Sequence, residues 1–225
     1  MDYIAQQLRQ TSVFNHLPEA EGREMVRLAR RMRPAGGDYL LHQGDVWPHV
    51  IFLLEGELRW EILSLSGREH VLFTIGPGDV FWGHSLFDDE PMPASLIASR
   101  RSEALVWDRE TILPFLFGCP QALWDLTQLQ VRTMRRAREI IYGLAFQPVS
   151  ARLAGLLLES FGEQREEATI ERDFTLNEVA ARVASSPEVV CRILHQFHAD
   201  GVLELTRAHI TLRDPHALNR IVEKG

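Results

Sequence analysis

The chain has 225 residues, of which 45% are hydrophobic and 24% charged, and its formal net charge is −7. This composition is typical of a globular protein and excludes a disordered, fibrous or membrane-embedded one. No apolar run reaches the roughly 18 residues that span a bilayer. The start Met1-Asp2-Tyr3 lacks the basic and apolar regions of a secretory signal. We therefore expect a cytoplasmic protein with one large or two modest cores.

The cysteines and the charge balance narrow the function further. Cys119 and Cys191 lie far apart in the sequence, so we expect no disulfide framework, no cysteine-clustered zinc site and no iron-sulfur cluster. An acidic chain binds nucleic acid only through a local patch. Lys224 is the only lysine, so nearly all cationic charge is guanidinium, which suits bidentate recognition.

The first half of the chain changes from helix to strand. Residues 5 to 33 predict short helices, one of them from Glu19 to Arg33. Short apolar strands follow between Asp38 and Asp108, and glycine turns separate them. The predicted strands are Tyr39 to His42, Val50 to Leu54, Leu58 to Leu63, Glu69 to Ile75 and Ala104 to Trp107. The predicted turns are Gly44-Asp45, Glu55-Gly56, Ser66-Gly67 and Gly78-Asp79. This regular spacing indicates a barrel or double-sheet roll, since closure removes exposed edges.

A long helix is predicted from Cys119-Pro120 to Pro148. Its apolar stripe has spacings of three and four and consists of Leu126, Leu129, Thr133, Ala137, Ile140 and Leu144. The stripe packs either on the chain's own barrel or against the same helix of a second copy. The flanking arginines, which form a solvated face or line a ligand cavity, are Arg132, Arg135, Arg136 and Arg138.

The C-terminal segment predicts a compact DNA-binding module. A helix from Val149 to Phe161 is followed by a charged loop, Gly162 to Arg172. Thr175 and Glu178 have the spacing of a capping box for a helix to Val183. Ser186 and Pro187 then start a second helix, which ends at Asp200-Gly201. Val202 to Thr206 and His209 to Arg213 predict a hairpin. Two helices joined by a tight turn and followed by a hairpin indicate a winged helix-turn-helix.

Several local motifs occur in the order of one known family. They are Gly78-Asp79-Val80-Phe81, Leu86-Phe87, Cys119-Pro120, Leu144-Ala145-Phe146, Thr175-x-x-Glu178-Val179-Ala180 and Ser186-Pro187-Glu188-Val189-Val190-Cys191-Arg192. With them the whole chain resembles the CRP/FNR family of bacterial transcription regulators. The resemblance implies an α+β protein with an N-terminal double-stranded β-helix (jelly-roll, cupin-like) sensor domain over 1–118. A dimerisation helix over 119–147 and a winged helix-turn-helix over 148–225 follow. It also implies a homodimer, double-stranded DNA and RNA polymerase as partners, no membrane and no enzymatic activity.

Glu188 and Arg192 are four residues apart and therefore share one helix face. A carboxylate accepts from cytosine N4 and a guanidinium binds guanine O6 and N7. The alternative is an i,i+4 surface salt bridge. By resemblance the pair reads a TGA-containing half-site, while Pro187 alters the readout at one base pair. The complete set predicted at the DNA is Thr175, Ser185, Ser186, Pro187, Glu188, Val189, Arg192 and His195.

The resemblance also guides the effector prediction. Gly83 and Pro93-Ala94 stand where cyclic-nucleotide-responsive relatives have a ribose-binding Glu and a phosphate-binding Arg-Ser pair. Ala137-Arg138 stands at the base-binding pair of the long helix. Because a buried phosphate needs charged or amide donors, we expect no response to cyclic AMP. The predicted effector pocket comprises Trp82, Gly83, His84, Ala137 and Arg138.

Two alternatives remain open from the sequence. Gly78 to Ser85 looks like the segment that carries the heme-ligating histidine of carbon monoxide sensors, which would make His84 an iron ligand. Trp82 replaces a cysteine of those proteins and the chain begins Met1-Asp2 rather than with a proline. The second alternative is a cupin-type metal enzyme, but no His-x-His pair occurs among His42, His49, His70 and His84.

Overall fold

The computed structural model describes residues 2–64, 69–162, 168–171, 175–206 and 208–224. The chain divides into two compact units between Arg136 and Ala137, and a short segment ending at His70 is grouped with the second unit. The predicted boundaries at 118 and 148 differ from this division and remain predictions. The predicted turn Ser66-Gly67 lies outside the described residues.

The first unit is a double-sheet roll covered by helices. Its helices are α1 (Asp2–Leu8), α2 (Glu19–Leu28), α3 (Ser85–Asp88) and α4 (Arg109–Gly118). Its described strands are β1 (Arg30–Met32), β2 (Tyr39–Leu41), β3 (His49–Glu55), β4 (Leu58–Leu63), β5 (Glu69–Ile75), β6 (Val80–Trp82), β7 (Ser95–Ala98) and β8 (Glu103–Asp108). They form two four-stranded sheets, ordered β1-β8-β3-β6 and β2-β7-β4-β5. The predicted roll is confirmed.

Strand β3 is buried on both faces and so separates two cores. Val50 and Phe52 pack against the helices, together with Trp107, whose indole N–H donates to the Met25 carbonyl over 2.8 Å. Ile51 and Leu53 point the other way, into the space between the sheets. This division follows from the two-residue period of a strand.

The differences from the predicted elements are local. The predicted helix Glu19 to Arg33 is too long, because Arg30–Met32 pairs with β8 instead of continuing α2. Strands β6 and β7 were not predicted. The predicted turn at Gly56 is confirmed: its φ is +94°, and an added Cβ would lie 2.6 Å from the Ser102 Cα, so only glycine fits.

The remaining elements run from the long helix to the C-terminus. They are α5 (Pro120–Phe146), α6 (Val149–Phe161), β9 (Thr169–Glu171), α7 (Leu176–Arg182), α8 (Pro187–Ala199), β10 (Leu203–Leu205), β11 (His209–Leu212) and α9 (Pro215–Lys224). Strand β9 lies inside the predicted charged loop and joins the predicted hairpin in a sheet of order β10-β11-β9. Helix α9 packs on α6 and was not predicted. The predicted winged helix-turn-helix is confirmed.

The second unit has its own apolar core, which fixes the two helices of the helix-turn-helix. Leu153, Leu157 and Phe161 of α6 meet Val190 and Leu194 of α8 there. None of the helices in the described ranges combines the length and apolarity that crossing a bilayer requires.

Candidate functional site

Side-chain caps fix the start of both helices of the helix-turn-helix. Thr175 caps α7 in a full capping box: its hydroxyl accepts from the Glu178 amide over 3.2 Å, and the Glu178 carboxylate accepts from the Thr175 amide over 2.6 Å. Ser186 caps α8, and Pro187 occupies the first helical position. Both predicted start signals are confirmed. The hydroxyl of Thr175 is therefore already engaged within its own helix.

Helix α8 turns its polar face to solvent. Glu188, Arg192 and His195 are exposed, whereas Val190 and Leu194 between them are buried. A hydrogen bond from the Ser186 side chain lowers the pKa of Glu188, so its carboxylate is an acceptor at neutral pH. In the described part of the chain no salt bridge joins Glu188 to Arg192. The alternative of a surface ion pair is therefore not what the structure adopts.

The other residues predicted at the DNA lie at or near the beginning of α8. Ser185, Ser186, Pro187 and Val189 are half-exposed, and Thr175 is exposed at the start of α7. Ser185 donates its amide to the Ala180 carbonyl over 2.9 Å. The first turn of α8 and the capped start of α7 thus present polar groups that can contact phosphates, as a helix N-terminus does.

The predicted stripe on α5 does not lie on one free face. Leu126 is 5% exposed in the core of its own unit, and Leu129 packs against the same core. Packing within the chain's own unit, one of the two predicted alternatives, therefore accounts for Leu126 and for part of Leu129, and their contact with a second protomer stays a prediction. Thr133, Ala137 and Ile140 are half-buried, and only Leu144 of the predicted set is exposed.

A different face of α5 is free. Its exposed positions repeat every three and four residues and are Trp124, Thr127, Val131, Met134, Arg138, Ile141 and Ala145. Met134 is 72% exposed and Ile141 65% exposed. Exposed apolar side chains at heptad spacing are typical of a helix that pairs with another helix. The seven-residue spacing of Trp124 and Val131, and of Met134 and Ile141, is the sequence signal that could have identified this face.

The space between the two sheets is filled by apolar side chains. Trp60, Phe81 and Met92 are all buried there, and the rings of Trp60 and Phe81 lie 5.0 Å apart. Trp82 points the other way, into the core beneath the helices, where its ring lies 5.6 Å from that of Phe14. As the strand neighbour of Phe81, Trp82 lies on the opposite face of the sheet, and its place in the effector pocket stays a prediction.

Gly83 and His84 lie where β6 leads into α3. A Cβ on Gly83 would come within 2.6 Å of the Trp47 carbonyl and 2.7 Å of the His49 carbonyl, so no side chain fits there. The His84 imidazole stands edge-on to Trp60 with centroids 5.9 Å apart, and burial lowers its pKa. Heme ligation by His84 remains a prediction. Ala137 and Arg138 belong to the second unit, so their part in the pocket also remains a prediction.

Arg109, which sequence reasoning missed, fixes the segment after Gly83. Its guanidinium forms a 2.5 Å ion pair with Asp89, a residue with a φ of +61°, and donates to the Ser85 carbonyl. The buried Ser85 hydroxyl donates to the Glu90 carbonyl over 2.6 Å. The segment therefore carries carboxylates at 88 to 90, and the Arg109 guanidinium is engaged within it.

No metal site is formed by the described side chains: no three His, Cys, Asp or Glu residues among them lie close enough to share an ion. The histidines considered for a cupin-type centre serve other contacts. His42 stacks on Tyr39, and His49 lies 4.9 Å from the Trp47 ring.

A double-sheet roll, a long helix and a winged module with a polar recognition helix together define a DNA-binding transcription regulator. A cyclic nucleotide-binding domain model matches residues 32–118, and a Crp-like helix-turn-helix domain model matches residues 151–221. The chain belongs to the CRP/FNR family of transcription regulators.

Individual proteins of known function are similar to this chain over nearly its full length. The chain is 28% identical over 204 residues to the cyclic AMP receptor protein of Thermus thermophilus, covering 91% of this chain and 93% of that protein. It is 26% identical over 200 residues to a CRP-like cAMP-activated global transcriptional regulator of Mycobacterium tuberculosis, covering 86% and 89%. A CooA mutant from Carboxydothermus hydrogenoformans has the same fold, with a TM-score of 0.75 at 20% identity over 88% of this chain and 90% of that one.

Proposed function

We propose that the protein is a homodimeric regulator that reads a two-fold symmetric, TGA-containing operator through α8. The observation that carries the proposal is the exposure of Glu188 and Arg192 on one face, free of each other, at the start of a capped helix. Their acceptor and donor chemistry matches base edges in the major groove. The flanking polar groups of the helix starts contact phosphates.

The exposed heptad face of α5 supports the homodimer. Apolar residues at this spacing on a helix of 27 residues are covered when two copies of α5 lie side by side. From Pro148 onward nine basic residues stand against twelve acidic ones. One module alone therefore has weak electrostatic attraction for DNA, and two modules on adjacent half-sites supply the affinity.

Selection from a random-sequence duplex pool tests the operator. We expect the purified protein to enrich an inverted repeat whose half-site centres lie about one helical turn apart. Enrichment of no sequence, or of an asymmetric one bound by a monomer, would contradict the proposal.

The filling of the roll supports a regulator that does not respond to cyclic AMP, although two similar proteins carry that ligand in their names. Trp60, Phe81 and Met92 occupy the space between the sheets. By resemblance, Pro93-Ala94 stand at the phosphate-binding Arg-Ser pair, so the charged donor that a buried phosphate needs is missing at those two positions.

Membership of the CRP/FNR family also supports three further parts of the proposal: the cellular location, the contact with RNA polymerase and the absence of catalysis. As a transcription regulator the protein acts on DNA in the cytoplasm, contacts RNA polymerase and catalyses no reaction. Deletion of the gene followed by transcript profiling tests this role: operators found by selection should lie upstream of the transcripts that change.

A further inference from the structure

Arg152 makes an unusual set of contacts in the second unit. It lies in the first turn of α6 and is half-buried. Its Nε donates to the Val183 carbonyl over 2.9 Å, and its Nη1 donates to the Gln147 carbonyl over 2.6 Å and to the Gly143 carbonyl over 3.3 Å. Its Nη2 donates to the Ala184 carbonyl over 3.4 Å. One guanidinium therefore joins two separate stretches of backbone.

The electrostatics explain which groups hold this charge. A cation near the N-terminus of its own helix is unfavourable, whereas carbonyls at a helix C-terminus attract it. Gly143 and Gln147 lie at the end of α5, and Val183 ends α7. Burial lowers the pKa of Arg152, and a guanidinium still stays charged. Among the described residues no carboxylate pairs with it, and its partners are backbone carbonyls at the ends of α5 and α7. The Gly143 carbonyl also accepts the Gln147 amide over 3.0 Å.

The contacted turn is the one that leads into the recognition helix. Ala184 has a φ of +49°, a conformation that a residue with a Cβ adopts only when its surroundings hold it there. Two residues later Ser186 caps α8. The Arg152 side chain therefore connects the last turn of α5 to the backbone that sets where α8 begins.

We propose that Arg152 is a positioning residue that couples the end of α5 to the orientation of α8. The proposal rests on the proposed function, in which α5 pairs the protomers and α8 reads the operator. Two readers fit one duplex only if each α8 has a fixed orientation relative to its α5. A lysine could not replace the arginine, because a single ammonium cannot reach carbonyls on both stretches as a planar fork does.

The test compares Arg152→Lys and Arg152→Met with the wild type in the full-length protein. The matched control is Arg220→Met, an exposed arginine of α9 in the same unit. Operator affinity is measured by fluorescence anisotropy on the duplex that the wild type selects. We expect both Arg152 variants to lose about 5- to 150-fold, the range of an ordinary coupling between sites, and the control to be unchanged.

A distance measurement separates positioning from general destabilisation. Spin labels at Glu139 on α5 and Ala199 on α8, in a background with both native cysteines replaced by serine, report one distance within the second unit. Excess unlabelled chain keeps one labelled protomer per dimer. We expect a narrow distribution for the wild type and a broader one for both variants, at a temperature where circular dichroism shows them folded.

Several outcomes overturn the proposal. An unchanged distance distribution in both variants does so. A salt dependence whose slope falls by about 0.9 would also do so, because it would make Arg152 a phosphate contact. If both variants are unfolded, Arg152→Gln replaces them, because its single amide can donate to one of the two backbone stretches but not to both, and an unchanged distribution and affinity there overturn the proposal. A wild type that binds no duplex refutes the proposed function instead, and the distance measurement still decides the role of Arg152.

Discussion

At the scale of single residues, recognition depends on what each side chain of α8 is free to do. Glu188 is held ionised by Ser186, and Arg192 makes no ion pair in the described part of the chain. Pro187, which lies between the cap residue Ser186 and Glu188, offers no side-chain hydrogen bond. In the proposed function, base readout in the first turn of α8 therefore depends on the Glu188 carboxylate, and the Arg192 guanidinium lies one turn further along.

Removal of the Arg192 guanidinium tests whether this side chain reads a base. We expect Arg192→Ala to weaken operator binding by about 5- to 150-fold, because a bidentate contact to guanine contributes about 1–3 kcal/mol of discrimination. Selection with the variant should also lose its preference at one guanine in each half-site. Arg220→Ala, which changes an exposed arginine of α9, should bind as the wild type does; an equal loss in both variants would reduce Arg192 to a non-specific contact.

Two histidines of the first unit should make its stability depend on pH. Burial is the main cause that lowers the pKa of both His49 and His84 below the ordinary 6.5. The unfolded chain then binds more protons than the folded one near and below pH 6.5, so stability falls as the pH drops through that value. Carboxylates with lowered pKa, such as Asp108, act only at more acidic pH.

Thermal melts between pH 7.5 and 5.5 measure this effect. The double variant His49→Gln/His84→Gln should lose less of its melting temperature over this range than the wild type. His42→Gln, at an exposed histidine of the same unit, should follow the wild type. An identical pH dependence in the double variant would assign the effect to other groups.

At the scale of elements, the sequence predicted what local signals encode. The start of α8 was predicted because Ser186 and Pro187 lie in adjacent positions, and the capping box because Thr175 and Glu178 are three apart. The short strands β6 and β7 escaped prediction, since three or four apolar residues have no clear period. Helix α5 carries two apolar stripes, at Leu126 and at Met134, and only tertiary contacts decide which is covered.

Helix α5 gives the prediction for the oligomeric state. Burial of a methionine side chain stabilises an interface by roughly 1.5–3 kcal/mol. Because a two-fold dimer buries Met134 of both protomers, a substitution removes this contribution twice. We expect Met134→Lys to raise the dimer dissociation constant by on the order of 100-fold or more, measured by analytical ultracentrifugation. Arg132→Ala, at an exposed position outside the heptad face, should leave the dimer intact. A dimeric Met134→Lys protein would place the interface elsewhere.

At the scale of the whole molecule, the turn before α8 and the segment after Gly83 depend on hydrogen bonds between residues that lie far apart in the sequence. Arg152 reaches carbonyls 31 and 32 residues later in the chain, and Arg109 holds a carbonyl 24 residues earlier. Trp82 was assigned to the predicted pocket by resemblance, whereas the face of the sheet on which its side chain lies follows from the pairing of β6 with β3. The order of the domains and the capped starts of α7 and α8 were predictable from motifs, whereas these long-range contacts were not.

The response to cyclic AMP is the prediction that concerns the whole chain. We expect about 1 mM cyclic AMP, a concentration that would fill half of a site whose binding free energy is only about −4 kcal/mol, to leave operator affinity within about twofold and to give no saturable heat on titration. The reason is the apolar filling of the roll beside a carboxylate-bearing segment. A tenfold gain in affinity, with saturable heat, would contradict it.

The filled roll has a consequence for the cell that carries this gene. In the proposed function Trp60 and Phe81 take the place of a diffusible signal, so promoter occupancy follows the copy number of the polypeptide, and pairing of protomers makes that dependence steeper than linear at low abundance. Synthesis and turnover of the regulator would then set the level of transcription.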